Sequence, residues 1–340
     1  MRDQINTLVV DDSATMRKII RASLETDPKI NVIGEAKDAP SARDVLASEK
    51  VDVLTLDVEM PGMDGIEFLE QIMRFRPLPV IMVSSHTQKG ARATVEALAR
   101  GAFGCVGKPS LATRHKPFAD LVPLVHAAAH ANIQKRSQTR MDRPCPVPNF
   151  RPNGTVLAIG ASIGGVEALT EILSVFPPNC PPTLITQHMP KRYTANFADR
   201  LNRTCAPKVF EARDGMPIKP GHVYLAPGGD AHMEVDLSPA LRCVLVQGPK
   251  TSGHSPSIDR LFSSCTRLGK RGLGVILTGM GKDGAQGLLE MRQAGAKTVG
   301  QSAETCVVHG IPKAASNLGA VEHQVALKNI AKHVLTKCNA

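Results

Sequence analysis

Three side chains in the second half of the sequence could together carry out acyl transfer: Ser162, His188 and Asp283. Each follows an apolar segment that predicts a strand, and in a parallel sheet the carboxyl ends of the strands meet at one edge. A histidine at that edge can take the proton of a serine hydroxyl, while a carboxylate holds the histidine in the correct tautomer. These three residues therefore predict a serine hydrolase site.

The choice of the base rests on position, because the sequence holds eleven histidines. His188 ends a strongly apolar segment, residues 183–187, whereas His222 and His232 lie in segments that resemble hairpins. His254, within Gly253-His254-Ser255-Pro256, is the second candidate and would face the substrate. We therefore predict that His188 is the partner of the serine.

The candidate nucleophile lies in a glycine-rich stretch between a predicted strand and a predicted helix. Gly160, Gly164 and Gly165 allow a sharp turn from which the Ser162 hydroxyl can project. The same kind of turn also opens nucleotide-binding units and binds anions at the start of a helix. By itself this stretch leaves a nucleophile, an anion site and a structural turn open.

The segment around Asp283 fits a second pattern. Residues 279–284 match G-x-G-x-x-G, and Glu304 follows about twenty residues later, as in dinucleotide-binding units. A dinucleotide site therefore stays an alternative. The α/β-hydrolase fold is disfavoured, because its acid precedes the histidine in the chain, whereas here the order is serine, histidine, aspartate.

A second group of polar residues follows the predicted strands of the N-terminal part. Asp11 and Asp12 come after the first strand, Asp57 after the third, Ser84 after the fourth and Lys108 after the fifth. Three carboxylates at one edge of a sheet repel one another unless a hard cation lies between them, and Mg²⁺ prefers oxygen ligands. This edge therefore predicts a Mg²⁺ site.

A strand followed by a helix is repeated five times in the N-terminal part, which predicts a doubly wound parallel sheet. The predicted strands are residues 7–10, 30–36, 51–56, 80–83 and 104–106, and the predicted helices are residues 14–25, 39–48, 66–75, 89–99 and 117–134. In the C-terminal part we predict strands at residues 156–159, 183–187, 221–226, 232–237, 241–247 and 274–277, with helices after Ser162, at residues 194–201 and after Asp283.

Residues 1–124 resemble the receiver domain of bacterial response regulators. The resemblance rests on Val9-Val10-Asp11-Asp12-Ser13, on Leu56-Asp57-Val58-Glu59-Met60-Pro61-Gly62-Met63-Asp64-Gly65, on Val83-Ser84-Ser85 and on Lys108-Pro109. It implies a five-stranded flavodoxin-like fold in which Asp57 is the phosphoacceptor. It also implies that Asp11, Asp12, Asp57 and the backbone carbonyl of Glu59 bind Mg²⁺, while Ser84 and Lys108 contact the phosphoryl oxygens. Cys105 departs from the family, which usually has Phe or Tyr as a switch residue there.

Residues 155–340 resemble the catalytic domain of the CheB chemotaxis methylesterases. The matching motifs are Gly160-Ala161-Ser162-Ile163-Gly164-Gly165, Gln187-His188-Met189, Ala226-Pro227-Gly228, Pro256-Ser257-Ile258-Asp259 and Thr278-Gly279-Met280-Gly281-Lys282-Asp283-Gly284. The resemblance implies an α/β domain with a mainly parallel sheet and no cofactor. It makes Ser162 the nucleophile, His188 the base and Asp283 the orienting carboxylate, with the backbone N–H of Met280 in the oxyanion hole.

The order of receiver, linker and methylesterase domain resembles this family over nearly the whole chain. It implies hydrolysis of glutamate γ-methyl esters on methyl-accepting chemotaxis receptors, with deamidation of receptor glutamines in some members. A chemotaxis histidine kinase would be the phosphodonor, and phospho-Asp57 is expected to relieve inhibition by the receiver. The alternatives are a DNA-binding response regulator and a non-catalytic receptor adaptor.

Length and charge agree with two domains, of which the second has an acidic partner. We predict domains at residues 1–124 and 155–340, joined by a helix end and a basic, proline-rich linker at residues 125–154. Residues 1–124 hold 16 Lys and Arg against 17 Asp and Glu, whereas residues 125–340 hold 25 against 14. The excess of positive charge in residues 125–340 suits an acidic partner, either nucleic acid or an acidic protein. The resemblance to the methylesterases implies a receptor in this role and no nucleic acid.

The sequence contains no apolar stretch of membrane-spanning length and no opening segment of signal-peptide type. The eight cysteines are scattered without a C-x-x-C pair, which disfavours a zinc site or a disulfide scaffold. We therefore expect a cytoplasmic protein with reduced cysteines and no membrane insertion.

Overall fold

A computed structural model of the chain describes residues 4–85, 87–109, 117–133, 147 and 149–340. The chain divides into two compact units, Met1–Thr139 and Arg140–Ala340. The end of the predicted fifth helix and most of the predicted linker fall on residues 134–146 and 148, outside the described residues. None of the described helices is both long and apolar enough to span a bilayer.

The N-terminal unit is a five-stranded parallel sheet with the strand order β2-β1-β3-β4-β5. The strands are β1 Ile5–Val10, β2 Ile30–Ala36, β3 Val53–Asp57, β4 Val80–Ser84 and β5 Gly104–Gly107. The helices are α1 Ala14–Leu24, α2 Ala39–Ser48, α3 Gly65–Phe75, α4 Gln88–Ala99 and α5 Leu121–Ala129. The doubly wound sheet predicted from the sequence is confirmed.

Every residue of β3 and β4 is buried, as expected for central strands covered on both faces. Leu54 and Leu56 of β3 pack with Phe68 and Leu69 of α3 in the core. The predicted start of the fifth helix at residue 117 is wrong, because Phe118 has a φ of 58°. A bulky residue in that region cannot continue a right-handed helix, so α5 begins at Leu121.

The C-terminal unit contains a seven-stranded sheet with the order β14-β13-β12-β6-β7-β9-β8, and all of its strand pairs are parallel. Its strands are β6 Val156–Ala161, β7 Thr183–Gln187, β8 Lys208–Glu211, β9 His222–Leu225, β12 Gly272–Ile276, β13 Lys297–Gln301 and β14 His323–Val325. A separate antiparallel hairpin is formed by β10 Ala231–Asp236 and β11 Arg242–Gln247. The parallel α/β fold predicted for this part is confirmed.

The helices of the C-terminal unit are α6 Gly165–Leu173, α7 Lys191–Thr204, α8 Ile258–Cys265, α9 Ala285–Gln293, α10 Ile311–Asn317 and α11 Leu327–Cys338. Short 3-10 turns lie at Thr266–Arg271 and Ala303–Thr305. The three central strands β12, β6 and β7 are buried throughout. Their carboxyl ends form the edge from which the candidate catalytic residues project.

Candidate active site

Ser162 lies immediately after β6, at the turn that leads into α6. Its N–H donates to the carbonyl of Thr278 at 3.0 Å, and its carbonyl accepts the N–H of Gly165 at 2.8 Å. Gly164 has a φ of 77°, a conformation that glycine adopts without strain. These contacts tie the turn to the end of β12 and leave the serine hydroxyl facing the edge of the sheet.

The three predicted triad residues are brought together by the structure. His188 Nδ1 lies 3.2 Å from Ser162 Oγ, and His188 Nε2 lies 2.7 Å from Asp283 Oδ2. A carboxylate only accepts hydrogen bonds, so the ring proton belongs on Nε2. The lone pair of Nδ1 then faces the serine hydroxyl, as a base must.

Asp283 is almost completely buried, and four donors surround its carboxylate. Oδ2 accepts His188 Nε2–H and the N–H of Ile258 at 2.8 Å, whereas Oδ1 accepts the Ser257 hydroxyl at 2.7 Å and the N–H of Asp259 at 3.1 Å. Burial by itself would raise the pKa of Asp283, but the hydrogen bonds from His188, Ser257 and Ile258 outweigh it and lower the pKa. The carboxylate therefore lies ionised at the N-terminus of α8, where the helix dipole also favours negative charge.

His254, the second histidine candidate, contacts the base itself. Its ring stacks on the His188 ring with the centroids 3.7 Å apart and the planes 10° apart. Burial and the neighbouring His188 lower the pKa of His254, so its neutral form is favoured. The structure thus places His254 against the histidine that faces Ser162.

Two backbone N–H groups beside Ser162 are available for an oxyanion. Within the described part of the chain, the N–H groups of Ile163 and Met280 donate no hydrogen bond. Gly279 packs so closely on the nucleophile that a Cβ atom there would lie 2.6 Å from Ser162 Cβ. The neighbouring Met280 N–H is the oxyanion donor predicted from the sequence. In other strand-to-helix turns that hold a nucleophile, the residue after the nucleophile donates its N–H to the oxyanion, and Ile163 occupies that position here.

The predicted acidic edge of the N-terminal unit also forms. Each of Asp11, Asp12 and Asp57 offers a carboxylate oxygen within 4.8 Å of the others. Lys108 Nζ lies 2.7 Å from Asp57 Oδ2 and 3.3 Å from Asp11 Oδ2. Burial raises the pKa of Asp57 to about 6 despite the lysine. The edge combines three carboxylates with one ammonium group.

Ser84 and Glu59, the two remaining residues predicted for this edge, differ in the groups that they contact. The Ser84 hydroxyl is fully buried and donates to the carbonyl of Gly90 at 3.1 Å, at the start of α4. The N–H of Glu59 donates to Asp57 Oδ1 at 3.3 Å, which places the Glu59 backbone beside the acceptor carboxylate. Cys105 is half-buried in β5.

This edge fits a hard divalent cation. Asp11 and Asp57 are almost fully buried, and the single ammonium of Lys108 leaves the three carboxylates with a surplus of negative charge. Burial also raises the pKa of Asp11. A cation with oxygen ligands would offset both the repulsion and the burial of these groups.

The sequence matches two family models in the order of the two units. Residues 7–116 match the response regulator receiver domain, and residues 157–334 match CheB methylesterase. A protein-glutamate methylesterase/protein-glutamine glutaminase of Caulobacter vibrioides is 52% identical over 340 residues, 99% of each chain. The chain belongs to the CheB methylesterase family. A relative of the same name from Rhizobium johnstonii is 53% identical over 96% of this chain and 95% of its own length.

A solved CheB domain shares the fold of the C-terminal unit. The catalytic domain of the Thermotoga maritima CheB methylesterase is 33% identical, with a TM-score of 0.53, and the match covers 54% of this chain and 98% of that domain. Receiver domains of the matched family typically bind Mg²⁺ through acidic residues, and the three aspartates form such a cluster.

Two residues that hold the predicted triad in place, Gln187 and Ser257, cannot be assigned this function from the sequence. Gln187 Nε2 donates to the carbonyls of Ser162 at 2.9 Å and His188 at 3.1 Å, so one amide holds both backbone segments. Ser257 binds Asp283 and also caps α8. A signal for the cap exists, because Ser257 precedes apolar residues at helical spacing. Nothing in the sequence shows that Gln187 faces inward.

Replacing Gly165 with alanine is expected to destabilise the C-terminal unit by about 1–3 kcal/mol. A Cβ atom there would overlap Oε1 of Gln187 and lie 2.7 Å from Ala161 Cβ. The matched control is Gly248→Ala, whose Cβ would meet nothing closer than 3.8 Å. Urea unfolding of both variants measures the difference, and equal stabilities would contradict the tight packing inferred at the nucleophile turn.

Proposed function

We propose that this chain is a phosphorylation-activated protein-glutamate methylesterase. It hydrolyses glutamate γ-methyl esters on methyl-accepting chemotaxis receptors and releases methanol. The strongest support is the position of His188, with one ring nitrogen on Ser162 and the other on Asp283. A DNA-binding regulator is not favoured, because residues 157–334 match the methylesterase model.

In the first half of the reaction, Ser162 attacks the ester carbonyl. His188 Nδ1 accepts the hydroxyl proton, and the resulting imidazolium is stabilised by Asp283 through Nε2. We assign the N–H groups of Met280 and Ile163, which donate no hydrogen bond among the described residues, to the oxygen that becomes negative. Each such donor contributes about 10²- to 10³-fold to the rate. The imidazolium then returns its proton to the methoxide as the carbon–oxygen bond breaks, which leaves an acyl-enzyme and methanol.

In the second half, water attacks the acyl-enzyme. His188 accepts a proton from the water and later gives it to Ser162 Oγ, so that glutamate is released and the free serine is restored. The same residues suit a glutamine side chain, because the imidazolium can protonate an amide nitrogen as it leaves. We therefore include receptor glutamine deamidation in the proposed function, in line with the second activity in the names of the relatives.

The receiver supplies the control in this scheme. Asp57 is the acceptor of the phosphoryl group from a chemotaxis histidine kinase, and Asp11, Asp12, Asp57 and the Glu59 carbonyl would hold Mg²⁺. A bound ion would neutralise charge on the phosphoryl group. Lys108 holds the acceptor carboxylate and contacts the phosphoryl oxygens, and Ser84 joins it once its hydroxyl leaves the carbonyl of Gly90. Because the proposed partners are a chemotaxis histidine kinase and chemotaxis receptors, we propose that the reaction takes place in the cytoplasm.

Methanol release from a methylated receptor tests the proposed activity. The full chain, supplied with Mg²⁺ and a small-molecule phosphodonor, is expected to release methanol and to leave glutamate at the modified positions, which peptide mass spectrometry identifies. A chain that binds the receptor and leaves every methyl ester intact would instead be the non-catalytic adaptor.

Asp57→Asn is expected to abolish the activation by the phosphodonor and to leave the basal rate. A phosphoryl switch of about 1–3 kcal/mol corresponds to about 5- to 150-fold activation, so the variant should remain that far below the activated wild-type chain. The matched control is Asp52→Asn, since the Asp52 carboxylate binds the N–H of Asn6 before the start of β3. If Asp57→Asn is activated as fully as the control, Asp57 is not the acceptor.

A further inference from the structure

The loop between β11 and α8, residues 248–257, contacts two members of the triad. Its tip is closed by two hydrogen bonds between Thr251 and His254, of 3.0 and 2.9 Å. Ser252 and Gly253 have φ values of 52° and 85° and form the bend between them. The tip is therefore a compact turn whose position depends on how the ends of the loop are held.

Both ends of the loop are bound by one buried side chain, His232 of β10. His232 Nε2 lies 3.0 Å from the carbonyl of Pro249, and the N–H of Ser257 donates to His232 Nδ1 at 3.1 Å. The side chain is 1% exposed. Only a neutral ring with its proton on Nε2 can donate to one end and accept from the other. One imidazole thus links the start and the end of the loop.

Residues of this loop contact both the base and the acid of the triad. His254 stacks on His188 at 3.7 Å, which fixes the plane of the catalytic ring. The Ser257 hydroxyl binds Asp283 Oδ1 at 2.7 Å. The hydroxyl of Ser252 also binds Asp259 Oδ2 at 3.1 Å, in the first turn of α8. Ser257, which makes the hydrogen bond of the loop to Asp283, therefore lies at one of the two ends that His232 holds. A long contact of 3.5 Å from the Ser255 hydroxyl to the carbonyl of Ala231 is a further attachment of the loop to β10.

We propose that His232 is a positioning residue of the esterase: it contacts no reacting atom, but it fastens the loop that orients His188 and Asp283. This role rests on the proposed serine hydrolase function. A loss of alignment at the triad lowers the rate of proton transfer without removing a contact with the receptor. The effect should therefore fall on kcat and leave KM nearly unchanged.

The test replaces His232 in the full chain with Leu, Asn and Gln. Leu removes both hydrogen bonds and is expected to lower kcat by about 10- to 100-fold. The Asn side-chain oxygen takes the place of Nδ1 and can accept the Ser257 N–H. Because Ser257 is the end of the loop that binds Asp283, His232→Asn should recover most of the lost rate. The Gln side-chain nitrogen takes the place of Nε2, so His232→Gln keeps only the Pro249 end and should stay slow. The matched control is His222→Leu, because His222 binds the Pro220 carbonyl away from the site.

Rates are compared below the unfolding temperature of every variant, on folded protein, so that a loss of stability alone leaves kcat unchanged. Full kcat in His232→Leu would overturn the role, as would equal rates for Asn and Gln. If His232→Leu does not fold, the comparison of kcat between His232→Asn and His232→Gln tests the role of His232 by itself. Labelling of Ser162 by a fluorophosphonate should follow the same order of rates. If that order holds while the wild-type chain releases no methanol, the esterase function fails and the role of His232 stands.

Discussion

Ser162→Ala is expected to lower kcat for methyl ester hydrolysis by about 10⁶-fold, the loss typical of a serine hydrolase without its nucleophile. Alanine leaves no atom that can form the acyl-enzyme, and His188 Nδ1 loses its partner at 3.2 Å. The fold should persist, because the hydrogen bonds that hold the turn come from the backbone of residue 162 and from Gln187. Methanol release from a methylated receptor measures the effect.

The control for this variant is Ser174→Ala, at the far end of α6. The Ser174 hydroxyl binds only the carbonyl of Glu171 among the described residues, at 2.8 Å. Its removal is expected to leave the rate unchanged. If Ser162→Ala keeps the rate of the control, the nucleophile is another group, and the mechanism given above is wrong.

Asp283→Asn is expected to lower kcat by about 10⁴-fold with little change in the fold. All four neighbours of the carboxylate are donors: His188 Nε2–H, the Ser257 hydroxyl and the N–H groups of Ile258 and Asp259. An asparagine must turn its NH₂ group toward one pair of these donors. If it faces His188, the ring proton moves to Nδ1, which then cannot accept the proton of Ser162.

The opposite amide orientation keeps the ring proton on Nε2, but it sets the NH₂ group against the Asp259 N–H, which cannot accept a hydrogen bond. In that orientation a neutral amide also stabilises the His188 imidazolium less than a carboxylate does. Asp236→Asn is the matched control, since Asp236 accepts hydrogen bonds from Arg242 on the β10–β11 hairpin, outside the triad. Rates measured with a methylated receptor at saturating concentration should separate the two variants by about four orders of magnitude. Equal rates would mean that Asp283 does not orient His188.

The parallel sheets could be predicted because their strands are short, apolar and fully buried. Residues 30–36 and 183–187 were predicted with the bounds that the structure shows. Burial on both faces leaves a continuous apolar run in the sequence, and each run is followed by polar groups at the sheet edge. That geometry explains how Ser162, His188 and Asp283 could be selected before their distances were known.

Other elements of the C-terminal unit were not predicted. The short strands β8 and β14 have only four and three residues, too few for a clear alternation of apolar and polar positions. Helix α8 has apolar residues at positions 258, 261, 262 and 265 behind its Ser257 cap, a spacing that indicates a helix. Without α8, the sequence could not show that Asp283 lies at the N-terminus of a helix.

The glycine residues around Ser162 have functions that only the packing reveals. The sequence predicts that Gly160, Gly164 and Gly165 all allow the sharp turn at Ser162. Gly164 does form the turn, but Gly160 lies within β6, where a Cβ atom would overlap Ile258 of α8. His232 is a second example, because the sequence places it only in a hairpin-like segment, whereas the structure shows its ring buried and bound to both ends of the loop at residues 248–257. Contacts between distant segments leave no local pattern in the sequence.

Trapping the covalent intermediate tests the central claim most directly. The full chain is mixed with a methylated receptor fragment, quenched with acid within one turnover and digested, and the peptides are examined by mass spectrometry. We expect the receptor glutamyl group as an ester on the peptide that contains Ser162, formed together with methanol and absent from Ser162→Ala. Release of methanol by the wild-type chain with no adduct on Ser162, or with an adduct on another residue, would contradict catalysis by Ser162, His188 and Asp283.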